Sequence, residues 1–330
     1  MGKQVWAFLG LTFAVSWAIW LSALKFGAGA GSSEYVLTFG SVGPAAATIL
    51  LSRNNQRSPG SGGSSRLICF IAVWLLACLV YVVNDSLRGV RPSSQLYRLI
   101  VGVLALLPAC VVSGAFARDS GTRQLLQTLA HPRDFRWPAV GFFFFPVILL
   151  IPAAIVKMFG GALSWPQHRG SIWAYASHGA IFFLSSLLFT AALEEPGWRG
   201  FLLPHLQRRF SPLLGSILVW FPWALWHAPL DFSGGVGSSL ITYTQVRVVF
   251  LIPIAIILTW LYNRSGGSLL AVALFHAGMN TFPFVLPYAP KMLALVFVVA
   301  AYVIFAQQMW RRETAALPLP AHIAACGDAE

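Results

Sequence analysis

Hydrophobic residues run through this chain in long unbroken stretches. They show neither the alternation of a half-buried strand nor the single apolar stripe of a surface helix. Apolar runs occupy residues 5–24, 35–52, 67–83, 97–117, 137–158, 173–193, 211–228, 246–262, 268–286 and 291–310. Each approaches the roughly 20 residues that a helix needs to cross about 30 Å of hydrocarbon at about 1.5 Å per residue. The pattern predicts about ten helical spans, whereas a membrane barrel would show alternating segments of about ten residues. The fold class is therefore expected to be all-α, a polytopic transmembrane helical bundle. Runs 67–83 and 211–228 are short, and 246–262 and 268–286 are separated only by Asn263, Arg264, Ser265, Gly266 and Gly267.

Composition supports the same class. Of 330 residues, 57% are hydrophobic and 10% charged, with a mean hydropathy of +0.72. A soluble domain carries about 25% charged residues, so an ordinary soluble enzyme is excluded, and so is a disordered chain. The net charge of +12 would suggest nucleic acid for a soluble protein. Here the basic residues fall between the runs, and no nucleic-acid partner is expected. With the N-terminus inside, the inner segments hold Lys3, Arg53, Arg57, Arg66, Arg118, Arg123, Arg133, Arg136, Arg199, Arg208, Arg209, Arg264, Arg311 and Arg312. This majority places both termini in the cytoplasm by the positive-inside rule, with Arg88, Arg91 and Arg98 against the trend. The expected setting is a plasma-membrane bilayer crossed many times.

The first run is longer than the apolar region of a secretory signal, about 7 to 15 residues, which favours a retained helix. Cys69, Cys78, Cys110 and Cys326 show no paired spacing, so neither disulfides nor a zinc ribbon is inferred. Residues 1–310 read as a single membrane domain, Arg53 to Arg66 as a flexible polar loop within it, and 311–330 as a disordered cytoplasmic tail.

Chemistry is sought among polar residues inside apolar runs, since each is costly there unless paired or hydrated. The run 173–193 closes on LEEPGWRGFLLPHL, with Glu194, Glu195, Pro196, Gly197 and Arg199. Neighbouring helical positions point about 100° apart, so the two carboxylates face different ways. Glu195 and Arg199, four apart, can pair and leave Glu194 for another task. The segment VWFPWALWHAPLDF places His227 after Trp220, Phe221, Trp223 and Trp226, and LFHAGMNTF sets His276 and Asn280 on one helix face. Taken singly, these residues suit an interfacial helix end, a packed aromatic belt and interhelical hydrogen bonding. Brought together, a carboxylate, two imidazoles and an amide would supply a general base, a water partner and oxyanion donors for hydrolysis. No G-x-S-x-G nucleophile motif competes for the role.

With Glu194, Glu195 and Arg199, then Trp223 and His227, then His276 and Asn280, the chain resembles the CAAX protease and bacteriocin-processing (CPBP) family of intramembrane proteases. Its pattern is EExxxR, an aromatic with xxxH, and HxxxN, and type II CAAX prenyl endopeptidases are among its members. The resemblance implies that Glu194 activates the attacking water, His227 helps to hold it, and His276 with Asn280 stabilises the oxyanion. Glu195, Arg199 and Trp223 would shape the site. It also implies an eight-helix core, matched at 137–310 and by the first two runs with SVGPAAATILL; residues 67–117 would be an additional helical hairpin.

Members have been described both as metalloproteases and as metal-independent glutamate proteases. Glu194, His227 and His276 would be the ligands of a zinc site, but no H-E-x-x-H is present and Asn280 is a poor zinc ligand. The expectation taken is a metal-free mechanism with no cofactor, zinc being the alternative. The implied partners are the bilayer and a membrane-embedded or lipidated peptide or protein substrate. A non-catalytic binding, immunity or transport protein is the competing reading. The run boundaries put Glu194 and His227 about 24 Å apart by helical rise. Closing that gap predicts that residues 201–212 begin the seventh helix outside the bilayer.

Overall fold

The computed structural model describes residues 2–25, 39–51, 63–87, 95–117, 120–130, 134–163, 171–232, 239–287 and 294–312. Among the described residues there are helices and no strand. We label them α1 (Lys3–Lys25), α2 (Gly43–Leu51), α3 (Gly63–Leu87), α4 (Gln95–Ser113), α5 (Ser120–Gln127) and α6 (Arg136–Met158). There follow α7 (Trp173–Gln207), α8 (Pro212–Trp226), α9 (Ala228–Phe232), α10 (Leu240–Arg264), α11 (Leu269–Val285) and α12 (Leu295–Ala306). Every apolar run has its helix, while α5 and α9 are short connecting helices. Helices α1, α3, α6, α7 and α10 are long and apolar enough to cross a membrane. The protein is thus an all-α, multi-pass membrane bundle. The stretch expected to form a disordered tail lies outside the described residues from 313 onward, as does most of the polar loop expected at 53–66.

One boundary differs from the expectation in a way that matters for the site. Residues 201–207 do not begin the seventh helix; they complete α7, which runs on through the charged motif to Gln207. Glu195 and Arg199 neutralise each other inside the bundle, so the charges do not force the helix to end. The next helix starts at Pro212, whose missing N–H suits a first helical position, while the Ser211 hydroxyl accepts from the Leu214 amide at 3.3 Å.

Helix α7 is interrupted by π-helical turns at Leu187–Ala191 and Trp198–Leu202, on either side of the motif. Pro196 lies between them and offers no N–H to the ladder. Gly197 lets another helix approach the backbone there. A Cβ on it would come 2.4 Å from Pro44 Cβ and 2.7 Å from the Pro44 carbonyl oxygen, on α2. Thr48 of α2 donates to Pro44 O at 2.9 Å and to Pro196 O at 3.4 Å. Gly141 plays the same part between α6 and α11, with a Cβ there only 2.2 Å from Ala271 O. Small residues at crossings are how helices pack closely when lipid removes the usual hydrophobic drive between them.

Aromatic packing fills the remaining interior. Trp20, Trp198, Trp223 and Trp226 are fully buried. Ring centroids lie 4.6 Å apart for Trp20 and Trp226 and 5.7 Å for Phe8 and Trp198, tying α1 to α7 and α8. The α3–α4 hairpin packs Ala77, Val80, Tyr81, Val101, Leu104 and Ala105 onto Leu188 and Phe189 of α7. It therefore buttresses the helix that bears the glutamates. Next to α5, the Thr128 hydroxyl accepts from the Leu269 amide at 3.1 Å and its carbonyl from the Leu270 amide at 3.3 Å, satisfying two orphan donors at the start of α11.

Candidate active site

The hairpin of α7 and α8 sets the depth of the site. Counting from the turn at 208–211, Glu194 lies about 20 Å back along α7 and His227 about 22 Å forward along α8. The two are level because α7 continues beyond its charges, and the separation suggested by the apolar runs disappears.

At this depth the two glutamates have different surroundings. Both Glu195 oxygens accept from Arg199 Nη1, at 2.9 and 3.2 Å, and Oε1 also accepts from His276 Nδ1 at 2.7 Å. Glu195 and Arg199 are fully buried. Arg199 further lays its Cζ 4.2 Å from the centre of the Trp223 indole, a cation–π contact. Its Nε and Nη2 have no hydrogen-bond partner. Glu194, 1% exposed, receives one hydrogen bond, from Trp223 Nε1 to Oε2 at 3.0 Å. The expected division of labour is thus visible: Glu195 is committed to neighbours on α7 and α11, whereas Glu194 is oriented by a single donor and keeps Oε1.

The two imidazoles are each fixed through Nδ1. His227 faces the carbonyl of Trp223 at 2.8 Å, an acceptor, so in the neutral ring Nδ1 carries the proton and Nε2 holds the lone pair. His276 Nδ1 faces the Glu195 carboxylate, likewise an acceptor. The Trp223 ring lies between them, with centroids 6.0 Å from His227 and 5.5 Å from His276. Trp223 thereby touches or bonds Glu194, Arg199 and both histidine rings, a larger part than a spacing pattern suggests. Asn280 lies one helical turn beyond His276 on α11. Its Nδ2 donates to the Ser186 hydroxyl at 3.1 Å, on α7 two turns before Glu194.

Sequence reasoning missed three residues. Ser186 is one of many hydroxyls in the chain, and nothing distinguishes it without its partner. Asp231 and Arg247 had a signal, since both are charges inside or beside apolar runs; they form a bidentate pair with Nε–Oδ2 2.7 Å and Nη2–Oδ1 3.1 Å. A zinc site was tested against the same geometry. Each histidine offers Nε2 with Nδ1 anchored, a fitting ligand arrangement. Yet among the described residues no three His, Cys, Asp or Glu side chains gather closely enough to hold a metal ion. Glu194, His227 and His276 do not close into a three-ligand set.

Comparison with known proteins points the same way as the motifs. A family model described as type II CAAX prenyl endopeptidase Rce1-like matches residues 176–282, which include all seven motif residues. A Methanococcus maripaludis protein named CAAX prenyl protease 2 is 26% identical over 223 residues, covering 64% of this chain and 81% of the relative. The ordered motifs and both matches agree, and over residues 176–282 the chain is similar to the type II CAAX prenyl endopeptidases.

Proposed function

We propose that the protein is an intramembrane endopeptidase that hydrolyses a peptide bond with water activated by Glu194. The observation that carries this is the unequal pair of carboxylates. Glu195 is saturated by Arg199 and His276, while Glu194 is held by one indole donor and retains an oxygen for a substrate water. In the reaction, Glu194 takes a proton from water as its oxygen adds to the carbonyl carbon, and the lone pair of His227 Nε2 accepts the other hydrogen of that water. The tetrahedral oxygen is met by His276 Nε2–H, which requires protons on both ring nitrogens, with Glu195 as countercharge. Asn280 adds its second Nδ2 hydrogen, the first being bonded to Ser186. Collapse breaks the C–N bond, and Glu194 passes its proton to the leaving amine. These groups act as general base and oxyanion donors in a buried site.

The substrate class is a membrane-embedded or lipidated peptide or protein, in line with the name of the Methanococcus maripaludis relative. The distribution of basic residues supports cytoplasmic termini and a plasma-membrane setting. The mechanism is metal-free. Mass spectrometry of host membranes incubated with purified protein tests the proposal. New peptide termini are expected with the wild type, with and without a chelator. Glu194→Gln should lower their formation by about three orders of magnitude while the protein stays folded. Equal termini from wild type and variant would refute the role of Glu194, and loss on chelation alone would refute the metal-free step.

A further inference from the structure

The Asp231–Arg247 pair has no role in the hydrolysis just described, yet it is built into the interior. Asp231 is 2% exposed and the Arg247 side chain 19%. A buried ion pair is a weak source of stability, because desolvation offsets much of the Coulomb attraction. Its use is better sought in what it holds in place.

What it holds is the chain around His227. That residue sits at the break between α8 and α9, and its carbonyl accepts from the amides of Leu230 at 3.0 Å and Asp231 at 3.1 Å. Asp231 is thus bonded through its amide to the backbone of His227 and through its carboxylate to α10. On the other side of the break, α10 reaches again. Tyr243 OH donates to Ala224 O at 2.8 Å, and the same carbonyl accepts from the His227 amide at 3.3 Å. Trp220 Nε1 donates to Arg247 O at 3.2 Å. Three contacts from α10 therefore bracket His227, and none of these bonds touches its imidazole. Arg247 lies in a π-helical stretch, Thr244–Phe250. A π turn holds an extra residue against α-helical register, rotating the remainder of the helix by about 100° about its axis.

We infer that Asp231 and Arg247 are positioning residues: their pairing fixes the backbone break at His227 and so aims His227 Nε2 at the water that Glu194 activates. The last step rests on the protease proposal; the placement of the ring is a property of the fold alone. Neither residue touches the reacting atoms.

Removing one partner leaves a buried charge alone and risks the fold, so the deciding variant is the double replacement Asp231→Leu with Arg247→Met, which removes both charges together. Arg247→Lys, which keeps charge but loses the two-pronged grip, serves if the double variant does not fold. Three readouts are needed: the thermal midpoint in detergent, kcat and KM on a peptide cleaved by the wild type, and the 15N NMR signals of His227, assigned with His227→Asn. We expect a midpoint close to that of the wild type, kcat lower by about tenfold or more with KM within about twofold, and displaced His227 signals. Wild-type kcat overturns the inference, and so does an unmoved His227 signal in a variant with lowered kcat. If the wild type cleaves nothing, the protease proposal falls by itself, and the His227 signals still decide whether the pair positions the ring.

Discussion

The α3–α4 hairpin lies at the side of the bundle and the α7–α8–α11 centre inside it, and their described polar contacts differ. In the hairpin, three described bonds stay within it. Trp74 Nε1 donates to Gly102 O at 3.0 Å, Tyr97 OH to Asp85 Oδ2 at 2.7 Å, and Ser113 Oγ to Ala109 O at 2.6 Å. In the centre the polar side chains bond across helices distant in the chain: Trp223 to Glu194, His276 to Glu195, Asn280 to Ser186. Local pairing satisfies polar groups and pins two neighbouring helices. Distant pairing makes one charge network depend on three helices at once, so a single loss there should be felt throughout.

The most severe test of that difference is Arg199→Leu. It leaves the Glu195 carboxylate buried with only His276 beside it, and a loss of about 3–5 kcal/mol is expected. Unfolding followed in detergent, together with loss of cleavage, would measure it; a loss no larger than that of a hairpin variant would erase the distinction. Gly197→Ala probes the crossing that supports the centre. With Pro44 only 2.4 Å from the new Cβ, overpacking should cost about 1–3 kcal/mol, read by the same unfolding measurement. The smallest effect is expected from Tyr97→Phe in the hairpin. It removes one hydroxyl from Asp85, should cost about 1 kcal/mol, and should leave cleavage by the folded protein unchanged. Impaired cleavage there, at equal folding, would show that the hairpin is coupled to the chemistry and is more than a buttress.

Much of the bundle was legible in the sequence because the lipid environment demands long apolar helices, and each run became one. The Glu195–Arg199 pair was legible for another reason: four residues on a helix bring side chains together whatever the rest of the fold does. The continuation of α7 past Glu194 was not. Apolar runs assess each residue separately, whereas Glu195 and Arg199 enter the bundle as a neutralised pair. The same limit hid the Asp231–Arg247 and Asn280–Ser186 contacts, whose members are far apart in the chain and become partners only when α7, α9, α10 and α11 are packed. Trp223 was marked by its motif, but its contacts with both glutamate-side and histidine-side groups result from the level meeting of α7 and α8.

That level meeting also sets a reach. On the role proposed for Glu194, a peptide that enters from the side of the 208–211 turn would extend about 20 Å before a bond comes opposite that carboxylate, at about 3.3 Å per residue of extended chain. About six residues would then be unstructured ahead of the scissile bond. The α7–α8 hairpin would in this sense be a ruler: a folded domain stopped at the turn would not be cut closer to its surface than that tether allows.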